Sequence, residues 1–233
     1  MNKIIPVITI DGPSGVGKST LSYAISKKLK WNFLESGYLY RIIAFYIIKY
    51  NISINEKNII PILKNIVFNF KYYNNKIKII FEKKNISNIL CSEKISIISS
   101  KIAIFPYIRK WLLNEQRKFR IFPGLVTNGR DMGTVVFPDA ILKIFLTTNI
   151  KERANRRFLE MKSKGLDINF KKLIITMKKR DNRDKNRSVC PLKPDKNAII
   201  IDSTNMNFKD TLKFTLKYIY KKLKKQPITR KSK

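Results

Sequence analysis

Histidine is absent from the 233 residues. That removes the commonest general base and the commonest metal ligand. Any catalysis must rest on Lys, Arg, Asp, hydroxyls, backbone dipoles and a bound ion. Cysteine is nearly absent as well: Cys91 and Cys190 stand apart and indicate neither a zinc site nor a disulfide framework. A reducing, cytoplasmic setting is the expectation. No apolar stretch is long enough to cross a membrane. The apolar run behind Lys3 has no small-residue cleavage site after it, and reads as a strand rather than a signal peptide. Acidic residues are scarce, 16 Asp plus Glu against 49 Lys plus Arg, for a formal net charge of +33. Such a balance attracts nucleic acid, acidic membrane surfaces or phosphorylated substrates. Ile, Lys and Asn are abundant at positions with no evident role, however, and no basic region carries a motif. The excess therefore reads as compositional drift, with no membrane partner and no dedicated nucleic-acid partner expected.

There are only 8 glycines, and three of them fall in one segment. Gly12-Pro13-Ser14-Gly15-Val16-Gly17-Lys18-Ser19-Thr20 follows the apolar run Ile4–Ile10 and leads into a helix from Lys18. This is a complete phosphate-binding loop in its proper setting. Gly12, Gly15 and Gly17 let successive backbone N–H groups converge on an anion, and the helix N-terminus adds its positive dipole. Lys18 is placed for β- and γ-phosphates, and the Ser19 hydroxyl for Mg²⁺. A glycine turn that merely happens to carry a lysine would not fill every position in the right context. The chain is read as binding a nucleoside triphosphate.

Strands are expected at 4–10, 33–34, 125–127, 140–147 and 198–201. Helices are expected at 18–30, 38–50, 55–64, 107–120 and 150–164. Two more helices follow Asn169 and Asn207, either of which suits an N-cap. This alternation predicts an α/β fold of the P-loop NTPase type, a parallel sheet with helices on both faces. Between 66 and 86 the texture changes to short strands, at 66–72, 76–81 and 85–86, with a turn at Tyr73-Asn74-Asn75. So short a connection requires antiparallel pairing. Residues 36–106 are read as an inserted lobe, 1–35 and 107–225 as the core, about 150–166 as a helical lid, and 226–233 as a loose basic tail.

Four clusters lie at strand ends or on adjacent helices, where ligands sit in such folds. Arg41 opens a helix after Ser36-Gly37, where its guanidinium suits a phosphate or is a solvated surface group. Arg130 and Asp131 sit between Gly129 and Gly133, suited to a phosphate and to an exocyclic amine or metal-bound water, or to a structural ion pair. Arg180, Asp184 and Arg187 share one helical face, suited to a nucleotide or to a surface salt-bridge ladder. Arg153, Arg156 and Arg157 share another, suited to a lid closing over a triphosphate or to a solvated basic helix.

Together these clusters resemble the bacterial cytidylate kinases, a family of NMP kinases. The resemblance rests on Ile10-Asp11-Gly12-Pro13-Ser14-Gly15, Ser36-Gly37 with Tyr40-Arg41, the run Gly129–Ala140, and Arg180-Asp181 with Arg183-Asp184 and Asn186-Arg187. It covers about residues 6–204, and the Gly129–Ala140 run is its most specific part. It implies transfer of the γ-phosphoryl group of ATP to CMP and dCMP, with Mg²⁺. By this resemblance residues Gly12 to Thr20 bind ATP; the spacing on the 150–164 helix adds Arg153 and Arg157 as lid cations over it. Arg41, Arg130 and Arg187 would hold the CMP phosphate, with Ser36 beside them. Arg180 and Asp184 would meet the ribose, and Ser100, Arg109 and Asp131 the base. Lys18, Arg130, Asp131 and Arg187 would carry the catalytic burden. The base assignment is chemically coherent, because a carboxylate accepts from the cytosine amine and repels the uracil carbonyl. Three positions depart from the family pattern: Glu35 and Asn128 stand where Asp is usual, and Ser19 where Gly is frequent. Asn128 cannot supply negative charge, which predicts weaker metal handling or slower turnover. Ser19 restores the hydroxyl expected of a phosphate loop.

A monomer is expected. The competing readings are a small P-loop kinase for UMP, AMP or shikimate, an RNA-binding or switch NTPase, and a non-catalytic nucleotide-binding protein. No Asn-Lys-x-Asp guanine-reading motif and no aromatic-interleaved RNA platform stands out in the sequence.

Overall fold

The computed structural model describes residues 4–68, 70–73, 76–163, 165 and 167–225. The chain begins with β1 (Val7–Asp11), α1 (Lys18–Leu29), β2 (Asn32–Glu35), α2 (Ser36–Lys49) and α3 (Glu56–Leu63). A small sheet follows, β3 (Phe70–Tyr73), β4 (Lys76–Phe81) and β5 (Lys84–Asn85), then α4 (Ser87–Leu90), α5 (Glu93–Ile102) and α6 (Pro106–Arg117). The rest is β6 (Leu125–Gly129), a π-helical turn at Met132–Val136, β7 (Leu142–Thr147), α7 (Ile150–Lys162), α8 (Phe170–Asn186), β8 (Ile199–Asp202) and α9 (Phe208–Lys225).

The main sheet runs β2-β6-β1-β7-β8, and every neighbouring pair is parallel. β1 lies at its centre with all five residues buried, as a β-branched run covered on both faces should. One face packs Ile8, Ile10, Leu21, Ile25, Leu216 and Ile219, joining the sheet to α1 and α9. The other packs Val7, Leu34, Leu39, Ile43, Ile108 and Leu112, joining it to α2 and α6. Parallel register brings the strand ends Asp11, Glu35, Gly129, Thr147 and Asp202 to one edge.

Local chemistry sets the boundaries. Lys30 adopts φ 56° and ends α1. The side chains of Asn55, Ser92, Asn149 and Asn169 accept from N–H groups at the starts of α3, α5, α7 and α8. Asn207 does the same for α9, with the Asp210 N–H at 2.9 Å. The antiparallel β3-β4-β5 sheet has the expected pairing, but β3 starts at Phe70 rather than Ile66, because Ile66 bonds back to the end of α3. The expected turn at Asn74-Asn75 lies outside the described residues, as does 226–233. The helices α4 and α5 were not anticipated. Their signal is Ile95, Ile98 and Ile102 at helical spacing, all buried, behind a Ser92 cap.

Candidate active site

The loop leaves β1 at Asp11 and enters α1 at Lys18. Gly12 has φ 148°, and a Cβ there would run into the Leu146 carbonyl oxygen on β7. Gly15 has φ 76° and faces the flexible end of Met177 of α8, so space excludes a side chain at the first position and backbone strain disfavours one at the second. Lys18 is only 7% exposed. Its ammonium donates to the Pro13 carbonyl at 2.6 Å, across the turn. Burial first, and then the Arg130 charge, hold the Lys18 pKa well below its ordinary value. A cation so placed gains from an anion that replaces lost solvent.

Asp11 lies beneath the loop, and its two oxygens accept from Met132 and Gly133 N–H at 3.0 and 2.8 Å. It thereby ties the loop strand to the π-helical turn after Asp131. Ser19 Oγ donates to Glu35 at 2.8 Å, and burial raises the Glu35 pKa. No cluster of three or more acidic or cysteine side chains suited to a metal occurs among the described residues. A hydroxyl and one carboxylate beside a phosphate loop nonetheless fit Mg²⁺, which keeps several waters and takes most other ligands from substrate phosphates.

Across the same sheet edge lies a crowded set of charges. Arg109 and Asp131 form a buried ion pair, and Arg187 Nη2 stands 3.8 Å from the other Asp131 oxygen, an ion pair too long for a hydrogen bond. Arg187 also donates to the Cys190 carbonyl at 2.5 Å. Arg130 pairs with Asp184 at 2.7 Å. Burial pushes the Asp184 carboxyl up, but Arg130 and Arg180 outweigh it and leave the group below its ordinary pKa. Arg180 donates to Ser96 at 2.6 Å, and burial, then Arg130, push its pKa down to about 9. Three buried guanidinium nitrogens here lack a hydrogen-bond partner, Arg109 Nε, Arg180 Nε and Arg187 Nη2, as does Ser100 Oγ on α5. Such atoms cost about 1–3 kcal/mol each while unmet. The three guanidinium nitrogens belong to the charge set that an anionic, polar ligand would meet; others among the described residues lie on Thr9, Thr127, Arg120 and Asp181.

The anticipated residues divide into two groups. Lys18, Arg109, Arg130, Asp131, Arg180, Asp184 and Arg187 converge on this edge through the pairs above. Arg41 is held at the rim by donating to the Leu90 carbonyl at 2.6 Å, and Ser36 accepts from Gln116 at 2.8 Å. Arg153 is engaged differently. It is 6% exposed, pairs with Asp181 at 2.6 Å, and donates to the Thr148 and Ser14 carbonyls at 3.1 and 3.0 Å. It fastens α7 and α8 to the back of the loop. Arg157 pairs with Glu160 at 2.8 Å on a part-exposed surface. Residues that sequence reasoning did not assign to the site include Gln116 and Tyr40. The Tyr40 phenol is buried among Arg109, Asp131 and Arg187, and burial pushes its pKa to about 12. Only its place beside Arg41 gave a signal.

A family model described as "Cytidylate kinase" matches residues 8–221. The chain belongs to the cytidylate kinase family. A cytidylate kinase from Buchnera aphidicola subsp. Baizongia pistaciae is 50% identical, covering 94% of this chain and 95% of its own. One from Aeromonas salmonicida is 42% identical, covering 96% and 97%. One from Escherichia coli is 41% identical, covering 96% and 99%. Among solved structures, TT1252 from Thermus thermophilus aligns over 95% of this chain and 99% of its own at 15% identity, with a TM-score of 0.47, too loose a likeness to argue from. The family match spans every element that carries the site, from β1 into α9.

Proposed function

We infer that this chain transfers the γ-phosphoryl group of ATP to CMP and dCMP, giving ADP and the corresponding diphosphate. Family membership supports the reaction. The observation that carries the assignment of residues is the set of buried, unmet donors on Arg109, Arg180 and Arg187, grouped around Asp131 and Asp184 at the strand edge that also bears the loop.

In this reading the loop amides and Lys18 hold the ATP phosphates. Arg41, Arg130 and Arg187 grip the CMP phosphate, Arg180 and Asp184 meet the ribose, and Asp131, Arg109 and Ser100 read the base. Ser19 and Glu35 are the residues that would hold Mg²⁺ or its waters. Bound with ATP, that ion supplies further charge neutralisation along the phosphates. The acceptor oxygen of CMP is already anionic near neutral pH, so no strong base is required, consistent with a chain lacking histidine. Catalysis then reduces to alignment and electrostatic stabilisation. Residues 36–106 serve as the NMP-binding lobe on a core of 1–35 and 107–225. The 150–166 lid contributes Arg157 as its mobile cation, while Arg153 braces the loop. Among the described residues no helix is long and apolar enough to cross a membrane, and a cytoplasmic monomer fits this reading.

Coupled ADP release with ATP·Mg²⁺ and CMP, dCMP, UMP or AMP in turn tests it. CMP and dCMP should be turned over fastest, UMP more slowly, and AMP near background. Fastest turnover of AMP or UMP, or no acceptor dependence at all, overturns it.

A further inference from the structure

The outer face of α9 takes no part in the site described above. At about 100° per residue, its buried stripe is Thr211, Thr215, Leu216 and Ile219, facing the sheet and α1. The opposite face is lysine. Lys209, Lys213, Lys217 and Lys221 recur every four residues, so they rise in steps of about 6 Å, and all four are exposed. Lys224 falls within the same arc. None of the five is ion-paired among the described residues, and α9 carries a single acidic residue, Asp210. On the two flanks of this stripe stand exposed rings, Phe214 at 40% and Tyr220 at 46% exposure. Beside it, α9, β8 and the 138–143 segment line an open groove of about 580 Å³, with Tyr218, Ile199, Asp139, Lys143, Lys221 and Lys222 in its wall.

We propose that this face is a docking surface for single-stranded RNA. Cations at a regular rise meet a phosphate backbone, and rings beside them offer stacking surfaces for bases, the combination that binds single strands without sequence preference. The adjoining groove, lined by Tyr218, Lys221 and Lys222, with Asp139 and a Lys143 that pairs with Asp195 at 3.0 Å on its far side, gives a base somewhere to turn in. An acidic membrane shares the charge complementarity but not the geometry. The apolar stripe of α9 is already spent on the protein core, and Phe214 and Tyr220 are separated by lysines, which leaves no continuous apolar strip to enter a bilayer. Helices that follow parallel strands run back towards the strands' beginnings, so the surface extends away from the catalytic edge, and RNA there leaves the kinase cleft open.

The test is fluorescence anisotropy of the full chain with a labelled 20-residue oligouridylate over a salt series. Four neutralised phosphates predict a slope of log affinity against log salt of about −2.8, roughly a 50-fold loss between about 50 and 200 mM. Changing Lys209, Lys213, Lys217 and Lys221 together to Gln should remove most of that slope while leaving CMP-dependent ADP release unchanged. Changing Lys57, Lys64, Lys84 and Lys110 to Gln, the same loss of charge elsewhere, should keep it. Phe214→Ala with Tyr220→Ala should weaken binding at least about fivefold. Equal loss in the two lysine variants would reduce the effect to net charge and overturn the proposal. Phosphatidylserine vesicles that displace the RNA and bind as tightly would also overturn it, in favour of a membrane. Absence of salt-dependent binding overturns it too, and leaves the kinase reading untouched.

Discussion

Glu35 and Asn128 are register partners on β2 and β6, and their side chains turn to different serines of α1. Glu35 accepts from Ser19 at 2.8 Å, whereas the Asn128 amide donates to Ser22 at 2.7 Å. Ser22 in turn donates to the Lys18 carbonyl at 2.6 Å. One partner thus keeps a carboxylate beside the loop hydroxyl, and the other is a neutral strut under the first turn of α1.

This division predicts the behaviour of Asn128→Asp. A carboxylate there would need the Ser22 hydrogen that now goes to Lys18, and it would add a second negative charge beside Glu35. Half-maximal turnover should then occur at several-fold lower Mg²⁺, and the fold should lose about 1–3 kcal/mol for the disrupted buried bonds. A magnesium titration of ADP release, paired with urea unfolding, reads both. Unchanged magnesium dependence would remove Glu35 and its neighbour from metal handling.

The Asp131 carboxylate is already neutralised by Arg109 and faced by Arg187, so it can accept from a cytosine amine without standing as a lone buried charge. Asp131→Asn keeps the shape but presents an amide that can donate to a uracil carbonyl. The ratio of kcat/KM for CMP over UMP should fall by about 10- to 100-fold, the equivalent of one buried polar mismatch. An unaltered ratio with both activities reduced would make Asp131 a structural partner of Arg109 rather than the base reader.

Arg153 and Arg157 sit four residues apart on α7 and should fail in different ways. Arg153→Ala strips the Asp181 pair and two carbonyl bonds, leaving a buried carboxylate unmatched. Stability should fall by about 3–5 kcal/mol. Arg157→Ala removes one surface pair, worth at most about 1 kcal/mol, so its melting temperature should barely move while kcat drops. Thermal melts beside steady-state kinetics separate the two. Equal stability loss would mean that Arg157 is also part of the scaffold.

Much of this arrangement could be read from residues alone, for identifiable reasons. The loop was legible because glycine at set spacing after an apolar run admits few other uses. Arg130 and Asp131 stood out because charge beside a strand end is costly without a purpose, and Arg187 through its helical spacing from Arg180 and Asp184. Three features were not. Arg153 reads as a lid cation, because nothing in a helical spacing reveals that its guanidinium faces inward to Ser14 and Asp181. Asp11 stands just past the expected strand 4–10 and enters only through the run Ile10–Gly15; nothing local reveals its hold on Met132 and Gly133, which spans 121 and 122 positions. The α4 and α5 helices were obscured by a stretch rich in serine and isoleucine, whose helical period emerges only once Ile95, Ile98 and Ile102 are seen to share a buried side.

Asp11 yields the last prediction, a pH dependence. Burial raises its pKa from 3.8 to about 6, although the bonds from Gly133 and Met132 pull the other way. In the unfolded chain the proton leaves near the ordinary value, so the folded state holds it more tightly. The stability this provides is complete below about pH 4 and is lost as the pH rises through about 6, a change of about 3 kcal/mol. Function runs in the opposite sense. The ionised carboxylate accepts from both N–H groups and steadies the segment that carries Asp131, whereas protonation below about pH 6 gives up part of that hold. Turnover should therefore decline on acidification with a midpoint near 6, while the Asp11 carboxyl carbon titrates at the same pH by NMR. An Asp11 midpoint near 3.8 would show that the two backbone bonds outweigh burial, and the acid limb of the rate profile would then need another group.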